Sequence, residues 1–357
     1  MLVRAQAAPT PVRLAIVGLV HDHVTGFLPD LLARKDAQLV GIVETDQALI
    51  AQIAARYHLD AGLFFPSLAA LRAATTVDGV ATFTSTFDHR RVVEQCAALG
   101  LPVMMEKPLA VSFADAKAMA AAARKAGIAV VVNYETTWYR SLHGAYDLVH
   151  RQQALGELTK LVVHDGHSGP AAICSTFFLA WLTDPVLNGG GALMDFGCYG
   201  ADLATWLMDG QRPTSVFAVT QQFQPKLYPK VDDEATIVLT YPHTQAIIQA
   251  SWNWPQGRKD LELYGPKGAL RQPDKNGLFL RKGNAPESPV PTTELTAPYA
   301  DSISYFAAVI RGQIKPEGLG SLEVNLIVNE ILDAAKESAR TGRRVDLGAE
   351  LGTTNPH

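Results

Sequence analysis

Residues 12–44 read VRLAIVGLVHDHVTGFLPDLLARKDAQLVGIVE, and this stretch decides the fold. Its first part, Val12–Val17, is a short apolar run that predicts a buried strand ending at Gly18, and residues 24–34 have the apolar spacing of a helix. A second apolar run at 38–43 predicts another strand. Strand, helix and strand within about thirty residues predict a βαβ unit with parallel strands.

The same alternation continues through the N-terminal half of the chain. Further strand-like runs lie at 79–84, 102–105 and 129–133, and the spacing of a helix recurs at Gln47–Tyr57, His89–Leu99 and Phe113–Ala126. Strands that alternate with helices of this length predict an α/β fold with a doubly wound parallel sheet of the Rossmann type.

From about Gly156 the pattern changes to longer β-rich runs. They lie at 158–164, 214–221, 235–241, 245–252 and 260–264. Such runs predict an α+β domain with a large, open, mainly antiparallel sheet. We therefore expect a first domain over residues 12–133, a second over 134–347, and flexible tails at 1–11 and 348–357.

The composition belongs to a folded globular protein. Of 357 residues, 48% are hydrophobic and 18% are charged, and the formal net charge is −4, which excludes a disordered chain and a nucleic-acid partner. No apolar run reaches the roughly 18 residues of a membrane span, so we expect a soluble protein. We expect it in the cytoplasm. The alternative is export to the periplasm, if Ala5-Gln6-Ala7 is the remnant of a signal-peptide cleavage site.

Polar or special residues follow the predicted parallel strands, at the edge of the sheet where such folds bind ligands. They are Gly18 and His21, Glu44, Thr84 and Ser85, Glu106-Lys107-Pro108, and Asn133. An acidic side chain after the second strand suits hydrogen bonding to the ribose hydroxyls of adenosine and repels a 2′-phosphate. Glu44 therefore predicts NAD as the cofactor rather than NADP.

The glycine-rich turn of a dinucleotide site is incomplete in this chain. The pattern G-x-G-x-x-G keeps only Gly18, because Val20 and His23 occupy the positions of the second and third glycines. Backbone amides at the start of the following helix still form an anion site, and His21 or His23 suits donation to a phosphate. The alternative is that these histidines only cap the turn.

Four motifs lie in order along residues 12 to about 347. The first is the run Thr84-Ser85-Thr86-Phe87-Asp88-His89, and the second is Glu106-Lys107-Pro108-Leu109. The third follows the glycines 189–191 with the pattern D-x-G-x-Y-x-x-D, filled by Asp195, Gly197, Tyr199 and Asp202. The fourth joins Tyr264-Gly265-Pro266-Lys267-Gly268 to the later run Glu330-Ile331-Leu332-Asp333-Ala334-Ala335. Asp195 and Tyr199 are four residues apart, so on a helix they would share one face.

With these motifs the chain resembles the glucose-fructose oxidoreductase, inositol dehydrogenase and MocA family of nicotinamide-dependent sugar and polyol oxidoreductases. The resemblance implies hydride transfer between a nicotinamide and a secondary alcohol or ketone of a sugar, sugar derivative or polyol. It implies that Lys107 takes the hydroxyl proton and stabilises the developing alkoxide, that Tyr199 is the second proton-transfer residue, and that Asp195 orients the substrate. The base role requires the pKa of Lys107 to fall, which burial beside an oxidised nicotinamide favours.

The resemblance also implies which residues contact the cofactor. They are Gly18, Val20, His21, His23, Glu44, Thr84, Ser85, His89, Glu106, Lys107, Pro108 and Asn133. On this side the chain departs from the family pattern, because Ser85 and Thr86 replace proline and asparagine and Glu135 stands where an arginine is usual. An altered cofactor pose, a permanently held cofactor and a lost cofactor all fit these departures.

Two alternatives to a dehydrogenase follow from the departures. The first is a redox-neutral glycoside lyase, hydrolase or epimerase that uses a tightly bound nicotinamide. The second is a non-catalytic sugar-binding relative with a degenerate cofactor site. We expect a homodimer or homotetramer in each case, because an open antiparallel sheet with one apolar face usually needs a partner.

His164 and His167 lie at the end of a predicted strand of the second domain. We expect them to hydrogen-bond a carbohydrate or polyol substrate. We expect no metal site, although the H-x-x-H spacing suits a divalent ion. Residues i and i+3 of a strand point to opposite faces, so the two histidines converge only if the chain turns at Gly166.

Overall fold

The computed structural model describes residues 10–348, and its N-terminal half is a parallel sheet with helices on both faces. Six strands lie in the order β3-β2-β1-β4-β5-β6, and every neighbouring pair is parallel. The predicted doubly wound sheet is therefore confirmed. The elements are β1 (Val12–Val17), α1 (Val24–Ala33), β2 (Ala37–Val43), α2 (Gln47–Tyr57), β3 (Phe64–Phe65), α3 (Leu68–Ala74), β4 (Gly79–Thr82), α4 (His89–Leu99), β5 (Val103–Glu106), α5 (Phe113–Ala126) and β6 (Val130–Asn133).

Local signals set the ends of the helices in this half. Asp46 caps α2 and Ser112 caps α5, each side chain accepting hydrogen bonds from backbone N–H groups of the first turn. Helices α4 and α5 end at Gly100 and Gly127, which take left-handed backbone conformations. Because these signals act within one turn, the bounds predicted for α2, α4 and α5 agree with the structure.

The sequence prediction misses β3 and α3 and makes β4 too long. Strand β3 has two residues and α3 has seven, which is too short for hydrophobic periodicity to reveal. The strand predicted at 79–84 ends at Thr82. Beyond it the chain turns toward the loop after β1, where the Phe83 carbonyl accepts a hydrogen bond from the His21 N–H at 3.0 Å.

The C-terminal half contains a nine-stranded sheet in the order β14-β13-β12-β11-β7-β10-β9-β8-β15. Its pairs are antiparallel except for β7 with β10, so the predicted mainly antiparallel sheet is confirmed. The strands are β7 (Lys160–Gly166), β8 (Ser215–Gln221), β9 (Glu234–Thr240), β10 (Gln245–Ser251), β11 (Arg258–Gly265), β12 (Gly268–Gln272), β13 (Phe279–Lys282), β14 (Ser288–Pro289) and β15 (Val345–Asp346).

Helices in this part of the chain cover one face of the nine-stranded sheet, and one of them packs against the parallel sheet instead. They are α6 (Arg140–Tyr146), α7 (Thr176–Leu182), α8 (Ala192–Asp195), α9 (Gly197–Leu207), α10 (Ser302–Ile310) and α11 (Leu322–Thr341). Helix α10, which the predicted boundary assigns to the second domain, places Ile303 and Phe306 in the same core cluster as Leu14 and Ile16 of β1. Within residues 10–348 no helix is both long and apolar enough to cross a membrane.

Candidate active site

Lys107 and Asp195 form a buried ion pair where the two sheets meet. Lys107 follows β5, and its Nζ donates to the main-chain oxygen of Asp195 at 3.0 Å and to the Asp195 carboxylate. The other oxygen of that carboxylate accepts a hydrogen bond from the indole of Trp252 at 2.9 Å. Only 6% of Lys107 and 4% of Asp195 are exposed, so their charges act in a setting of low dielectric constant.

Each charge of the pair stabilises the other. Burial acts to lower the pKa of the Lys107 ammonium, but the Asp195 carboxylate outweighs burial and holds this pKa above its ordinary value. Burial acts to raise the pKa of Asp195, and Lys107 outweighs it in turn, so this pKa lies below its ordinary value. The resting pair is therefore ammonium and carboxylate, and the ion pair does not itself supply the lowered lysine pKa that the sequence led us to expect.

Tyr199 packs against Lys107 from a separate helix. The Lys107 Nζ lies 5.1 Å from the ring centroid of Tyr199 and 5.4 Å from that of Phe196. Asp195 and Tyr199 do not share one helix, because α8 ends at Asp195 and α9 begins at Gly197. The Asp195 carbonyl accepts from Lys107 instead of from the N–H of Tyr199, which donates to Phe196.

The Tyr199 hydroxyl makes no hydrogen bond to another residue in the described range. Burial raises its pKa well above the ordinary value of a phenol, and nearby carboxylates add to this shift. A phenol in this state keeps its proton at neutral pH. Tyr199 is therefore equipped to donate a hydrogen bond to a ligand oxygen.

His164 and His167 point to opposite faces of the second sheet. Strand β7 continues through Gly166, so the chain does not turn there. The Nδ1 of His164 lies 2.9 Å from the carboxylate of Asp260, its cross-strand neighbour. The ring of His167 lies on the helix-covered face and packs on Phe196, with 4.9 Å between centroids. The expected shared site is corrected accordingly, and only His167 joins the cluster around Lys107.

Lys259 and Glu135 complete the charged wall of this cluster. The Lys259 Nζ forms an ion pair with Glu135 and lies 5.1 Å from the ring centroid of Tyr199. Burial acts to raise the pKa of Glu135, and Lys259 outweighs it, so this pKa is lowered. Sequence reasoning missed Lys259. The sequence feature that could have revealed it is the spacing of two residues between Lys259, Leu261 and Leu263 on β11, which places the lysine on the same face as the two buried leucines.

The turn after β1 fits a dinucleotide at its first glycine. Gly18 has φ +80°, a region that favours glycine, and a Cβ at this position would lie 2.5 Å from Cγ2 of Thr84. Side chains of the loop after β4 form hydrogen bonds within the loop: the Thr84 hydroxyl donates to the carbonyl of Ser85, and the Ser85 hydroxyl donates to the carboxylate of Asp88. Gly18 thus allows the turn after β1 to pack closely against Thr84 in the loop after β4.

Glu44 fits the ribose of adenosine. Its Oε1 accepts hydrogen bonds from the N–H groups of Thr45 and Asp46 at 2.7 and 3.0 Å, and its Oε2 accepts one from Leu19 at 3.0 Å. These bonds fix the carboxylate at the mouth of the turn. Oε2 carries one hydrogen bond and retains a lone pair for a hydroxyl donor. Glu44 therefore keeps an acceptor that suits a ribose hydroxyl.

His21, His23 and Glu106 form a polar cluster beside the turn. The Nδ1 of His23 lies 2.8 Å from one Glu106 oxygen, and Asn133 donates to the other at 2.9 Å. The donor atoms of the three side chains lie within 4.8 Å of one another, a spacing that suits a divalent cation. Burial, His23 and the Lys107 ammonium all lower the pKa of His21. Because Lys107 is this close, its positive charge would repel a cation bound by the cluster. We retain the expectation of no metal.

A cavity of about 690 Å³ opens beside this cluster, between α1 and the start of α10. His23, Glu106, Asn133 and Glu135 contribute to its lining. The Trp138 indole donates to the Asn133 side chain at 3.0 Å, which orients the amide toward Glu106. The cavity connects the cofactor-side residues with the wall that contains Glu135 and Lys259.

Helix α7 and the residue before it, Ser175, cover the turn after β1. The backbone N–H and the hydroxyl of Ser175 donate to the carboxylate of Asp22 at 2.6 and 2.5 Å. The Trp181 indole donates to the carbonyl of Val20 at 3.2 Å, and the ring of Phe178 packs on His21 with 4.6 Å between centroids. The second half of the chain thus closes over the segment where a pyrophosphate would lie.

His89 links the loops after β4 and β5. Its Nδ1 lies 3.1 Å from the carbonyl oxygens of both Pro108 and Leu109. Burial lowers the pKa of His89 below its ordinary value, so the imidazole is neutral and Nδ1 carries the proton that both carbonyls accept. His89 therefore fixes the segment that directly follows Lys107.

Comparison with known proteins agrees with this architecture. The model "Oxidoreductase family, NAD-binding Rossmann fold" matches residues 12–134, and the GFO/IDH/MocA C-terminal domain matches residues 147–271. Trans-1,2-dihydrobenzene-1,2-diol dehydrogenase of Sus scrofa is 27% identical over 332 residues, which cover 90% of this chain and 93% of that protein. D-apiose dehydrogenase of Paraburkholderia graminis is 25% identical over 334 residues, with coverage of 87% and 83%.

A solved structure shows the same fold over nearly the whole chain. It is that of an inositol dehydrogenase homolog from Azotobacter vinelandii complexed with NAD+, with a TM-score of 0.82 at 19% identity. The match covers 97% of this chain and 100% of that chain. The two family models together span most of the sequence, from β1 to β12. The chain belongs to the GFO/IDH/MocA family of oxidoreductases, and its N-terminal half is the NAD-binding Rossmann fold of that family.

Proposed function

We propose that the protein is an NAD-dependent dehydrogenase that oxidises a secondary alcohol of a neutral sugar or polyol. The observation that carries the proposal is the buried cluster of Lys107, Asp195 and Tyr199 at the carboxyl edge of the parallel sheet. The relatives act, by their names, on a dihydrodiol and on D-apiose, and a structural neighbour is an inositol dehydrogenase homolog. The compounds in these three names are all hydroxylated and uncharged.

In this proposal the ion pair moves the hydroxyl proton. As the substrate is oxidised, one proton of the Lys107 ammonium passes to the Asp195 carboxylate, to which Nζ is already hydrogen-bonded, and the lone pair that this frees takes the proton of the reacting hydroxyl. The ammonium is thereby restored beside the oxygen that loses its proton, and its positive charge stabilises the developing alkoxide. NAD, when bound, supplies the acceptor for the hydride. Tyr199 donates its free hydroxyl to the same substrate oxygen.

We assign His167 to substrate binding. The N–H of Gly169 donates to His167 Nδ1 at 3.0 Å, which leaves the ring proton on Nε2. Burial lowers the pKa of His167, and the nearby lysines lower it further against the opposing effect of Asp195, so the ring is neutral at pH 7. A neutral ring with its proton on Nε2 is a hydrogen-bond donor to a substrate oxygen.

The cofactor and the reaction are tested together on the purified full-length chain. Denatured protein is examined by absorbance and mass spectrometry for released NAD(H), and NADH formation is then followed with a panel of polyols and aldoses. We expect NAD binding and NADH formation with at least one neutral polyol. A protein that neither carries nor binds a nicotinamide would contradict the proposal.

A redox-neutral reaction with a retained nicotinamide is the second candidate. The observation that favours it is the cover formed by Ser175, Phe178 and Trp181 over the turn at Val20 and His21. A covered cofactor exchanges slowly. In that case NAD(H) copurifies with the protein and a glycoside is converted without net NADH formation.

Replacing Glu44 is expected to change the choice of cofactor. Glu44→Gln removes the charge that repels a 2′-phosphate and weakens the ribose contact, so the affinity for NAD falls by about tenfold. The ratio of NAD to NADP affinity, measured by calorimetry, falls by the same order or more. Glu94→Gln serves as the control, because Glu94 is an exposed residue of α4 whose carboxylate pairs with Arg90. An unchanged affinity ratio would show that Glu44 does not contact the ribose.

We also propose that the open face of the second sheet pairs two copies of the chain in a homodimer or homotetramer. Phe217 and Val219 of β8 and Tyr264 of β11 are exposed on that half of the protein. Light scattering with size exclusion measures the assembly, and a monomer at micromolar concentration contradicts this part of the proposal.

We also propose that the boundary between residues 133 and 134 divides the chain into two domains.

A further inference from the structure

Helix α8, which ends at Asp195, is a single turn. Its backbone hydrogen bonds begin with the N–H groups of Met194 and Asp195, which both donate to the carbonyl of Gly191 at 3.0 Å. A single turn is marginal by itself, because its formation fixes several residues for few hydrogen bonds. The position of Asp195 therefore depends on what holds the start of α8.

Asp232, two residues before β9, binds the start of α8. One oxygen of its carboxylate accepts a hydrogen bond from the Gly191 N–H at 2.9 Å, and the other accepts one from the Leu193 N–H at 2.7 Å. Its main-chain oxygen accepts from the N–H of Ala192 at 3.0 Å. Three consecutive N–H groups that a helix cannot satisfy in its own first turn are thus bound by one residue.

The last glycine of the run 189–191 makes this contact possible. A Cβ on Gly191 would overlap the main-chain oxygen of Asp232, so a larger residue there would force the start of α8 away from the segment before β9. The glycine that precedes the third sequence motif is therefore explained by the close approach of Asp232.

The segment before β9 also holds the other end of α8, through Trp252. The carbonyl of Asp233 accepts a hydrogen bond from the backbone N–H of Trp252 at 2.9 Å, and the indole of Trp252 donates to the Asp195 carboxylate. Lys107 then binds both the carbonyl and the carboxylate of Asp195. Asp195 thus lies between two supports that start from neighbouring residues, Asp232 and Asp233.

We propose that Asp232 is a positioning residue, which holds α8 so that the carbonyl and the carboxylate of Asp195 both stay bound to Lys107. This inference rests on the proposed function, in which Asp195 receives a proton from Lys107. A small displacement of Asp195 would disturb this proton path although every reacting group is still present. Asp232 has no contact with substrate or cofactor in this proposal, so its loss acts on kcat rather than on binding.

The test measures NADH formation by full-length Asp232→Asn, with NAD and the polyol or aldose of the panel that the wild type oxidises fastest. Asparagine keeps the shape and one acceptor, but it turns its NH2 group toward an N–H of α8. We expect kcat to fall by about ten- to a hundredfold, while KM for the substrate and the affinity for NAD stay within about threefold of the wild type.

Asp274→Asn is the matched control for the loss of a carboxylate that binds backbone N–H groups. The Asp274 side chain accepts from the N–H groups of Asn276 and Gly277, each at 2.8 Å, in the turn between β12 and β13. This turn contains none of the residues of the proposed active site. We expect kcat of the control to equal that of the wild type.

A double variant separates positioning from a general structural effect. Asp195→Asn retains Lys107 and its positive charge, so we expect a reduced but measurable turnover. If Asp232 acts through Asp195, adding Asp232→Asn to this variant lowers kcat by no more than about twofold, whereas independent effects would multiply.

Amide hydrogen exchange tests the contact with α8 without any substrate. In ligand-free Asp232→Asn we expect exchange in peptides from residues 190–196 to be faster by about fivefold or more, because the N–H groups of Gly191 and Leu193 lose an acceptor. Exchange of the same peptides in Asp274→Asn is expected to equal that of the wild type.

The possible results distinguish the inference from its foundation. A kcat of Asp232→Asn within about threefold of the wild type, or unchanged exchange at residues 190–196, contradicts the role of Asp232. Multiplied effects in the double variant, or equal losses of kcat and NAD affinity with a lower melting temperature, assign Asp232 a structural role instead. A wild type that binds no NAD or forms no NADH contradicts the proposed function itself, whatever the exchange experiment shows.

Discussion

A Lys107→Met variant is expected to lose turnover by about a thousandfold or more while it still binds NAD. Methionine keeps much of the length of the side chain but removes the positive charge beside the developing alkoxide and the donor to Asp195. Proton transfer and charge stabilisation are lost together, so the effect appears in kcat rather than in KM. The measurement is NADH formation at saturating polyol, with NAD affinity determined by calorimetry on the same preparation.

The variant also leaves Asp195 buried without its cation, which costs about 3–5 kcal/mol of the free energy of unfolding. The double variant Lys107→Met with Asp195→Asn restores much of this stability, because the remaining amide still accepts from Trp252. The double variant stays inactive if Lys107 performs the chemistry. Turnover within about tenfold of the wild type in either variant would remove Lys107 from the reaction.

The sequence was most informative where the signals are local. The helices α2, α4 and α5 begin and end as predicted, since caps, glycines and periodicity act within a turn. The run around Lys107 was predictive for a different reason, because a parallel strand delivers its last residues to the ligand-binding edge wherever the rest of the chain goes. Lys107 and Asp195 were both identified from motifs, and the structure brings them together.

The remainder of the site depends on contacts between distant segments. Lys259 lies opposite Asp165 only because β7 and β11 pair in one register, and the register is not readable from either strand alone. The position of His164 also depends on such a pairing, because β7 continues through Gly166 and places His164 beside Asp260 of β11. At the break between α8 and α9, the Asp195 carbonyl accepts hydrogen bonds from the distant Lys107 side chain and from the Cys198 thiol, and the contact with Lys107 is not readable from the local sequence.

The turn after β1 is expected to fail when its single remaining glycine is replaced. In Gly18→Ala the new Cβ would lie 2.5 Å from Thr84 Cγ2 and 3.0 Å from the Thr84 backbone, in a conformation with φ +80°. Strain and overpacking together cost about 2–5 kcal/mol in the free energy of unfolding. We expect NAD affinity to fall by about a hundredfold, since the turn shifts away from β4 and from Glu44.

Gly26 offers the matched control for this prediction, because it lies in the same segment but has a helical backbone conformation and open space around it. It is an interior residue of α1 with no atom within 4 Å of an added Cβ. Gly26→Ala is therefore expected to raise the free energy of unfolding by up to about 1 kcal/mol, through helix propensity, and to leave NAD affinity unchanged. Chemical denaturation and calorimetric titration measure both quantities. Equal NAD affinity in Gly18→Ala and Gly26→Ala would mean that the turn does not hold the pyrophosphate.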